Sequence, residues 1–262
     1  MLNPETLVTL LNAWPPELEA GIELIVCLLA MVGLLRWYGL AGLYCFITTL
    51  LLVGNIQVLK GGQFSFLPHP IALGTMLFGI IAVTFDIITE YYGKSAALKG
   101  VRLSFFVFSF FTLLLFLTVG LRPLDPSLLA PDELSLYTNH EHIKALFLPM
   151  PEILVASLTA YLTSQYVDVI IYFLLKRITH ERLLWLRSFL STAISAFIDT
   201  FLFSLLAWKV LSPTPVSWTT LFTVYILGTY PLRLLCSFAF SPLVYWARYF
   251  LPVKRHEHLS SF

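Results

Sequence analysis

The sequence predicts an all-α integral membrane protein, and three observations predict it. Only 12% of the 262 residues are charged, against 58% hydrophobic, whereas a soluble domain carries about 25% charged and about 45–50% apolar residues. A water-facing surface cannot be built from so few charges. Mean hydropathy is +0.83. The apolar stretches are long and continuous, without the alternation of ~10-residue barrel strands, so helices are expected rather than a barrel.

Taken in order, the first 20 residues hold no Lys or Arg. That argues against a cleaved signal peptide, which needs a basic leading region. Within them "LVTLLNAW" fits a short helix lying in the membrane interface. Seven apolar segments follow, at about 21–37, 39–58, 71–90, 101–120, 149–175, 187–211 and 217–249. Each meets the ~17–25 residues needed to cross a bilayer. "RWYGLAG" makes a very tight turn between the first two. The fifth and seventh are long enough to tilt or kink, and Pro231 and Pro242 are the expected breaks in the seventh. Residues 21–250 read as one transmembrane domain and 251–262 as a cytoplasmic tail.

Basic residues set the expected orientation. Eleven fall on one side: Arg36, Lys94, Lys99, Arg102, Lys176, Arg177, Arg182, Arg187, Arg248, Lys254 and Arg255. Four fall on the other: Lys60, Arg122, Lys144 and Lys209. The first side is read as cytoplasmic, which puts the amino terminus outside and the carboxyl terminus inside. The 121–148 loop, with Asp125, Asp132, Glu133 and Glu141, is then external.

Ionisable groups at membrane depth cost about 2.5–3.5 kcal/mol each on insertion scales and are functional candidates by default. Five qualify: Asp86, Glu90 at the end of the same segment, Asp168, Asp199 and Arg233. Pairing with Arg233 as a mere pin between helices is the plainer reading for any one Asp. It fails for all, since one Arg cannot neutralise three Asp. Their neighbours repeat at helical spacing. Ser157, Tyr161, Ser164, Gln165 and Asp168 share one face. So do Ser188, Ser191, Thr192, Ser195 and Asp199. Tyr225, Thr229, Arg233 and Ser237 repeat at four, and Asn55 stands near the outer end of the second segment. A single Ser/Thr stripe is most simply packing between helices. Three stripes, each carrying an ionisable group, predict a shared polar cavity.

No catalytic set emerges. The six histidines fall in expected loops or ends, and HExxH, GxSxG and a glycine-rich phosphate loop are all missing. Asp168 and Asp199 lack the motif context of an intramembrane protease. Cys27, Cys45 and Cys236 lie in apolar runs without metal or disulfide spacing. Net charge is +1, so nothing points to nucleic acid, and no cofactor or metal is expected. A carboxylate accepts two parallel hydrogen bonds, matching an N–H pair such as the edge of guanine. Gln165 and Asn55 offer both donor and acceptor. Tyr161, Tyr166, Tyr225, Phe197 and Phe201 are candidates to stack on a flat base. The residues themselves point to a transporter for a small polar molecule.

At these residues the chain resembles a known family. "FDIITEYYGKSAA", "SLTAYLTSQYVDV" with "FLLKR", "LWLRSFLSTAISAFIDTFLF" and "YPLRLLCSFAFSPLVY" resemble, in order, the blocks of the queuosine precursor transporter family, also called the vitamin uptake transporter family. The likeness spans about 39–250. It implies a six-helix core, likened to the substrate-binding components of energy-coupling-factor transporters, with one additional N-terminal span here. It also implies uptake of a 7-deazaguanine, whether the 7-cyano or 7-aminomethyl form or queuine, across a bacterial inner membrane. The candidate binding set, drawn from the polar stripes and the ionisable groups at membrane depth, is Asp86, Asn55, Tyr161, Gln165, Asp168, Ser195, Asp199 and Arg233. Departures from the family pattern include Phe85 before Asp86 and Arg233 where many members have Lys. Expected partners are the substrate and the bilayer, with a homo-oligomer or a separate ATP-driven coupling module as further options. The competing classes are a substrate-capture subunit and a structural membrane protein without ligand.

Overall fold

The computed structural model describes residues 3–65, 71–128, 130, 134–147, 151–180 and 182–251. Helix α1 (Pro4–Asn12) begins at Asn3, whose side chain accepts the Glu5 N–H at 3.2 Å, and it buries no residue. Helix α2 (Pro16–Gln57) is 42 residues long and breaks at Gly39, where φ is +57° and ψ −130°. Only glycine adopts that conformation without strain. At Gly42 a side chain would strike the Leu34 carbonyl, so the two arms approach closely at the turn. The arms, 16–38 and 40–57, run back along each other. Gln57 donates to Glu23 at their far ends, and the Ser65 N–H donates to Glu17 at 2.6 Å. The tight turn expected at "RWYGLAG" is thus a helical hairpin.

A small antiparallel pair, β1 (Gly61–Gly62) and β2 (Ile71–Ala72), leads into α3 (Thr75–Tyr91). The sequence gives no sign of this pair. Helix α3 is the axis of the molecule. Fourteen of its 17 residues are buried, and it touches α2, α4 (Lys94–Gly120), α6 (Pro151–Ile178), α7 (Leu184–Leu205) and α9 (Tyr230–Ala247). Five helical stretches are long and apolar enough to cross a membrane; α2 is one of them and contains the two arms.

Several boundaries differ from the sequence expectation. Helix α4 starts seven residues early, because Gly93 at φ +85° ends the preceding turn and lets the helix begin at Lys94. The loop expected at 121–148 contains α5 (Leu134–Phe147). His140 and His142 therefore lie on a helix rather than in a loop. Before α5, the Ser127 hydroxyl and N–H donate to Asp125 at 2.7 and 2.9 Å, and these bonds hold its carboxyl below the usual range. His69, Asp132, Glu133, Lys254, Arg255, His256 and His258 lie outside the described residues.

After α7 the chain makes a π turn, Leu206–Val210, then α8 (Trp218–Thr220) and a second π turn, Leu221–Ile226. The seventh apolar segment is interrupted between that turn and α9, with Pro231 in the first turn of α9, where a missing N–H costs nothing. Pro242 lies inside α9 without ending it. The Ser241 hydroxyl donates to the Phe238 carbonyl that Pro242 leaves unpaired.

The outer surface is apolar. Leu29, Phe106, Leu117 and Trp246 are each 60% exposed or more, while among the described residues Asp86, Asp168, Arg187 and eight serines are buried. This inversion of a soluble fold is what a lipid solvent requires. One end of the bundle gathers the basic helix ends, joined by Tyr91 Oη to the Val244 carbonyl (2.7 Å), the Trp185 N–H to Tyr245 (3.1 Å) and Tyr44 to the Ala96 carbonyl (2.6 Å).

Candidate functional site

At the opposite end a cavity of ≈ 280 Å³ opens between the second arm of α2, the β pair, α3, α6, α7, both π turns and the start of α9. Its polar wall carries Asn55, Thr75, Tyr161, Asp199, Thr229 and Arg233, and its aromatic wall Phe78, Phe203, Trp208 and Tyr225. The stripes explain why these groups converge. Each helix has one face unsuited to lipid, and facing a common interior hides all of them.

Asp199 is ion-paired with Arg233 and accepts from the Ser164 hydroxyl at 3.2 Å. The Arg233 guanidinium lies 5.4 Å from the centre of the Phe78 ring, and its Nε has no protein partner. Tyr161 shares a 2.7 Å hydrogen bond with Ser104, which fixes its ring against the wall. Asn55 Nδ2 donates to the Leu51 carbonyl at 2.8 Å. Trp208 and Tyr225 stack with ring centres 5.0 Å apart, which gives the cavity a flat aromatic side.

Beneath this cavity is a smaller one of ≈ 30 Å³, bounded by Gln165, Thr192, Ser195 and Ser237 and sharing Tyr161, Asp199 and Arg233 with the larger. Below it lie two buried carboxyls. Asp168 accepts from Ser195 at 2.9 Å, and Asp86 accepts from Ser188. Each has a second oxygen with no protein partner. At the basic end, Glu90 receives Arg187 at 2.7 Å, Lys176 at 3.4 Å and the Tyr172 hydroxyl at 2.9 Å.

Of the eight residues singled out in the sequence, Asn55, Tyr161, Asp199 and Arg233 line the larger cavity. Gln165 and Ser195 line only the smaller one. Asp86 and Asp168 border neither; helix rotation turns them toward the α7 serines instead. Arg233 does neutralise a single Asp, as a lone Arg must. Glu90 and Lys94 stand four residues apart but form no ion pair; Glu90 is taken by Arg187 and Lys176. Gly93 separates the two residues, and Lys94 sits over the Phe173 ring at 5.4 Å. Tyr225 reaches the cavity, but Tyr166, Phe197 and Phe201 do not. Phe197 is 46% exposed on the outer face.

Sequence reasoning missed Trp208 and Arg187. An ideal α-helix puts Trp208 half a turn away from Asp199; the wider π turn shifts its register to the cavity. The charge asymmetry groups Arg187 with the basic residues of one side, yet its side chain is 1% exposed. The signal for it was available: it lies one residue before the serine stripe and heads the same helix.

A membrane-embedded helical bundle with an internal polar and aromatic cavity is the architecture of a multi-pass membrane transporter for a small molecule. Comparison with known proteins gives the family. Residues 72–247 match the sequence profile described as "Putative vitamin uptake transporter". Over 234 residues the chain is 31% identical to a Bacillus subtilis (strain 168) protein named "Probable queuosine precursor transporter", covering 89% of this chain and 93% of that one. The chain belongs to the vitamin uptake transporter family, and its function is transport. No solved structure matches it.

Proposed function

We propose that this protein imports a 7-deazaguanine precursor of queuosine, in the 7-cyano, 7-aminomethyl or queuine form, for tRNA modification. The observation that carries the reading is Asp199, held by Arg233 and Ser164 at the floor of an aromatic-sided cavity. A carboxylate oriented by neighbours presents acceptor lone pairs to an N–H pair. Asn55 and Tyr161 supply further donors and acceptors, and Trp208 with Tyr225 supplies a stacking surface for the flat ring. The cavity volume is near the lower end of the ~300–1,000 Å³ typical of ligand pockets, which suits a compact base. The printed name of the Bacillus subtilis relative supports the same substrate class.

The proposed membrane is a bacterial inner membrane. The end carrying Arg36, Lys94, Lys176 and Arg177 faces the cytoplasm, by the excess of basic residues there. The cavity then opens outward, and the Glu90 ion pairs close the inner end.

The test is direct. Purified protein is titrated with each deazaguanine, and a strain unable to make queuosine precursors is supplied with them with and without this gene. Binding of at least one compound and restored queuosine in tRNA are expected. No binding and no restoration with any of the three, at normal membrane expression, would overturn the proposal. Uptake by the purified protein alone in liposomes separates an autonomous carrier from a capture subunit that needs an ATP-driven partner.

A further inference from the structure

Asp86 and Asp168 are the buried charges that the cavity does not use. They are 0% and 1% exposed, on α3 and α6, which pack against each other. Each is held on one oxygen by a serine of α7. Asp86 Oδ1, Asp168 Oδ2, Gln165 Oε1 and Thr192 Oγ1 have no protein partner. The neighbouring charged and titratable groups are already engaged. On α3, Glu90 is bound by Arg187 of α7 and by Lys176 and Tyr172 of α6. On α9, Arg233 is taken by Asp199. No Lys or Arg among the described residues contacts either aspartate.

Arg187, already paired with Glu90, acts on Asp86 only at longer range, and two ionised carboxylates at this depth with no ion pair of their own would cost far more than helix packing returns. A small positive charge must accompany them. Those four atoms are oxygens, the donor type suited to hard cations; the Nε atoms of Arg187 and Arg233, also unpartnered, belong to guanidinium groups already paired with Glu90 and Asp199. The ≈ 30 Å³ chamber lined by Gln165, Thr192 and Ser195 is the size of one water or one dehydrated ion. It joins the substrate cavity above to the Asp168–Ser195 bond below.

We infer that Asp86 and Asp168, together with Gln165 and Thr192, bind a small monovalent cation, a proton or sodium, that enters through the substrate cavity and moves with the substrate. The inference rests on the transport reading above and assigns it an energy source. Substrate and cation share one entrance, and Asp199 with Arg233 lies on the wall of both chambers. A bound base therefore covers the ion's exit, which couples the two movements.

The experiment has two arms. Without substrate, infrared difference spectra of the purified protein are recorded between two pH values, and between sodium and potassium at fixed pH. A buried-carboxyl signal that responds to pH identifies a proton, and one that responds to sodium identifies the ion. The signal is expected to be lost or halved in Asp86→Asn and Asp168→Asn. Absence of both responses in the native protein overturns the inference, whether or not a deazaguanine binds. With substrate, liposomes carry a tenfold proton or sodium gradient. One coupled cation sustains about tenfold substrate accumulation at equilibrium. The Asn variants are expected to lose that accumulation and still equilibrate substrate across the membrane. Native protein that binds a deazaguanine but accumulates it under neither gradient, or Asn variants that accumulate as well as native protein, overturns the coupling. Failure to bind any deazaguanine strikes the substrate reading alone, because the first arm does not depend on it.

Discussion

At the scale of single residues, the charge arrangement follows from what burial permits. Arg233 compensates Asp199, and the pair sits where the cavity reaches it, with side chains 14% and 19% exposed. Replacing Asp199 with Asn keeps the shape but exchanges one acceptor for a donor, which meets an N–H pair head on. The expected loss is on the order of 2–4 kcal/mol, or ~30- to 1000-fold in affinity, measured by titration of purified protein with the best deazaguanine. Arg233→Lys keeps the charge but loses the planar fork that orients the carboxylate. About a tenfold weaker binding is expected in the same assay. Unchanged affinity in both variants would place the base elsewhere in the molecule.

At the scale of elements, two local irregularities do what regular helices cannot. Gly39 reverses α2 at a backbone conformation closed to other residues. Gly39→Ala is expected to destabilise by about 1–3 kcal/mol, seen as a lower thermal midpoint in detergent. Equal midpoints would mean the hairpin turn relaxes at no cost. The π turn Leu206–Val210 carries Trp208 to the cavity. Such turns hold one residue more than an α turn and are frequent at functional sites. Deleting Ala207 should convert the turn to α-helix and rotate Trp208 off the wall. Folding, checked by monodisperse elution, is expected to survive while deazaguanine binding weakens. A folded deletion variant with native affinity would show that Trp208 contributes nothing.

At the scale of the whole molecule, the polar groups form tiers along the bundle: an open cavity, a small chamber, two carboxyls, and a closed end tied by Glu90. Arg187 is almost wholly buried, so Glu90→Gln leaves it uncompensated. Removing one partner of a buried pair costs on the order of 3–5 kcal/mol. The thermal midpoint should fall in Glu90→Gln and recover in part in the Glu90→Gln, Arg187→Gln double variant. A double variant as unstable as the sum of the two single ones would mean the residues do not interact. Orientation is read with Cys27, Cys45 and Cys236 first replaced. A cysteine at Lys99 should react only from the cytoplasm and one at Arg122 only from outside, and the reverse pattern would invert the topology.

The sequence by itself determined the solvent, the helical segments and the helix faces. In lipid each segment must be apolar along ~20 residues and satisfy its own backbone, so the constraint is local and legible. The stripes carrying Asp168, Asp199 and Arg233 were legible for the same reason, since a helical period shows which side chains share a face. Tertiary structure alone decided the pairings: Arg233 with Asp199, Asp86 with Ser188, Glu90 with Arg187. It also decided that Asp86 and Asp168 stand behind the cavity and that Trp208 stands within it. Those outcomes depend on the depth and rotation of helices far apart in the chain, and on one extra residue in a π turn. Local period carries no information about either.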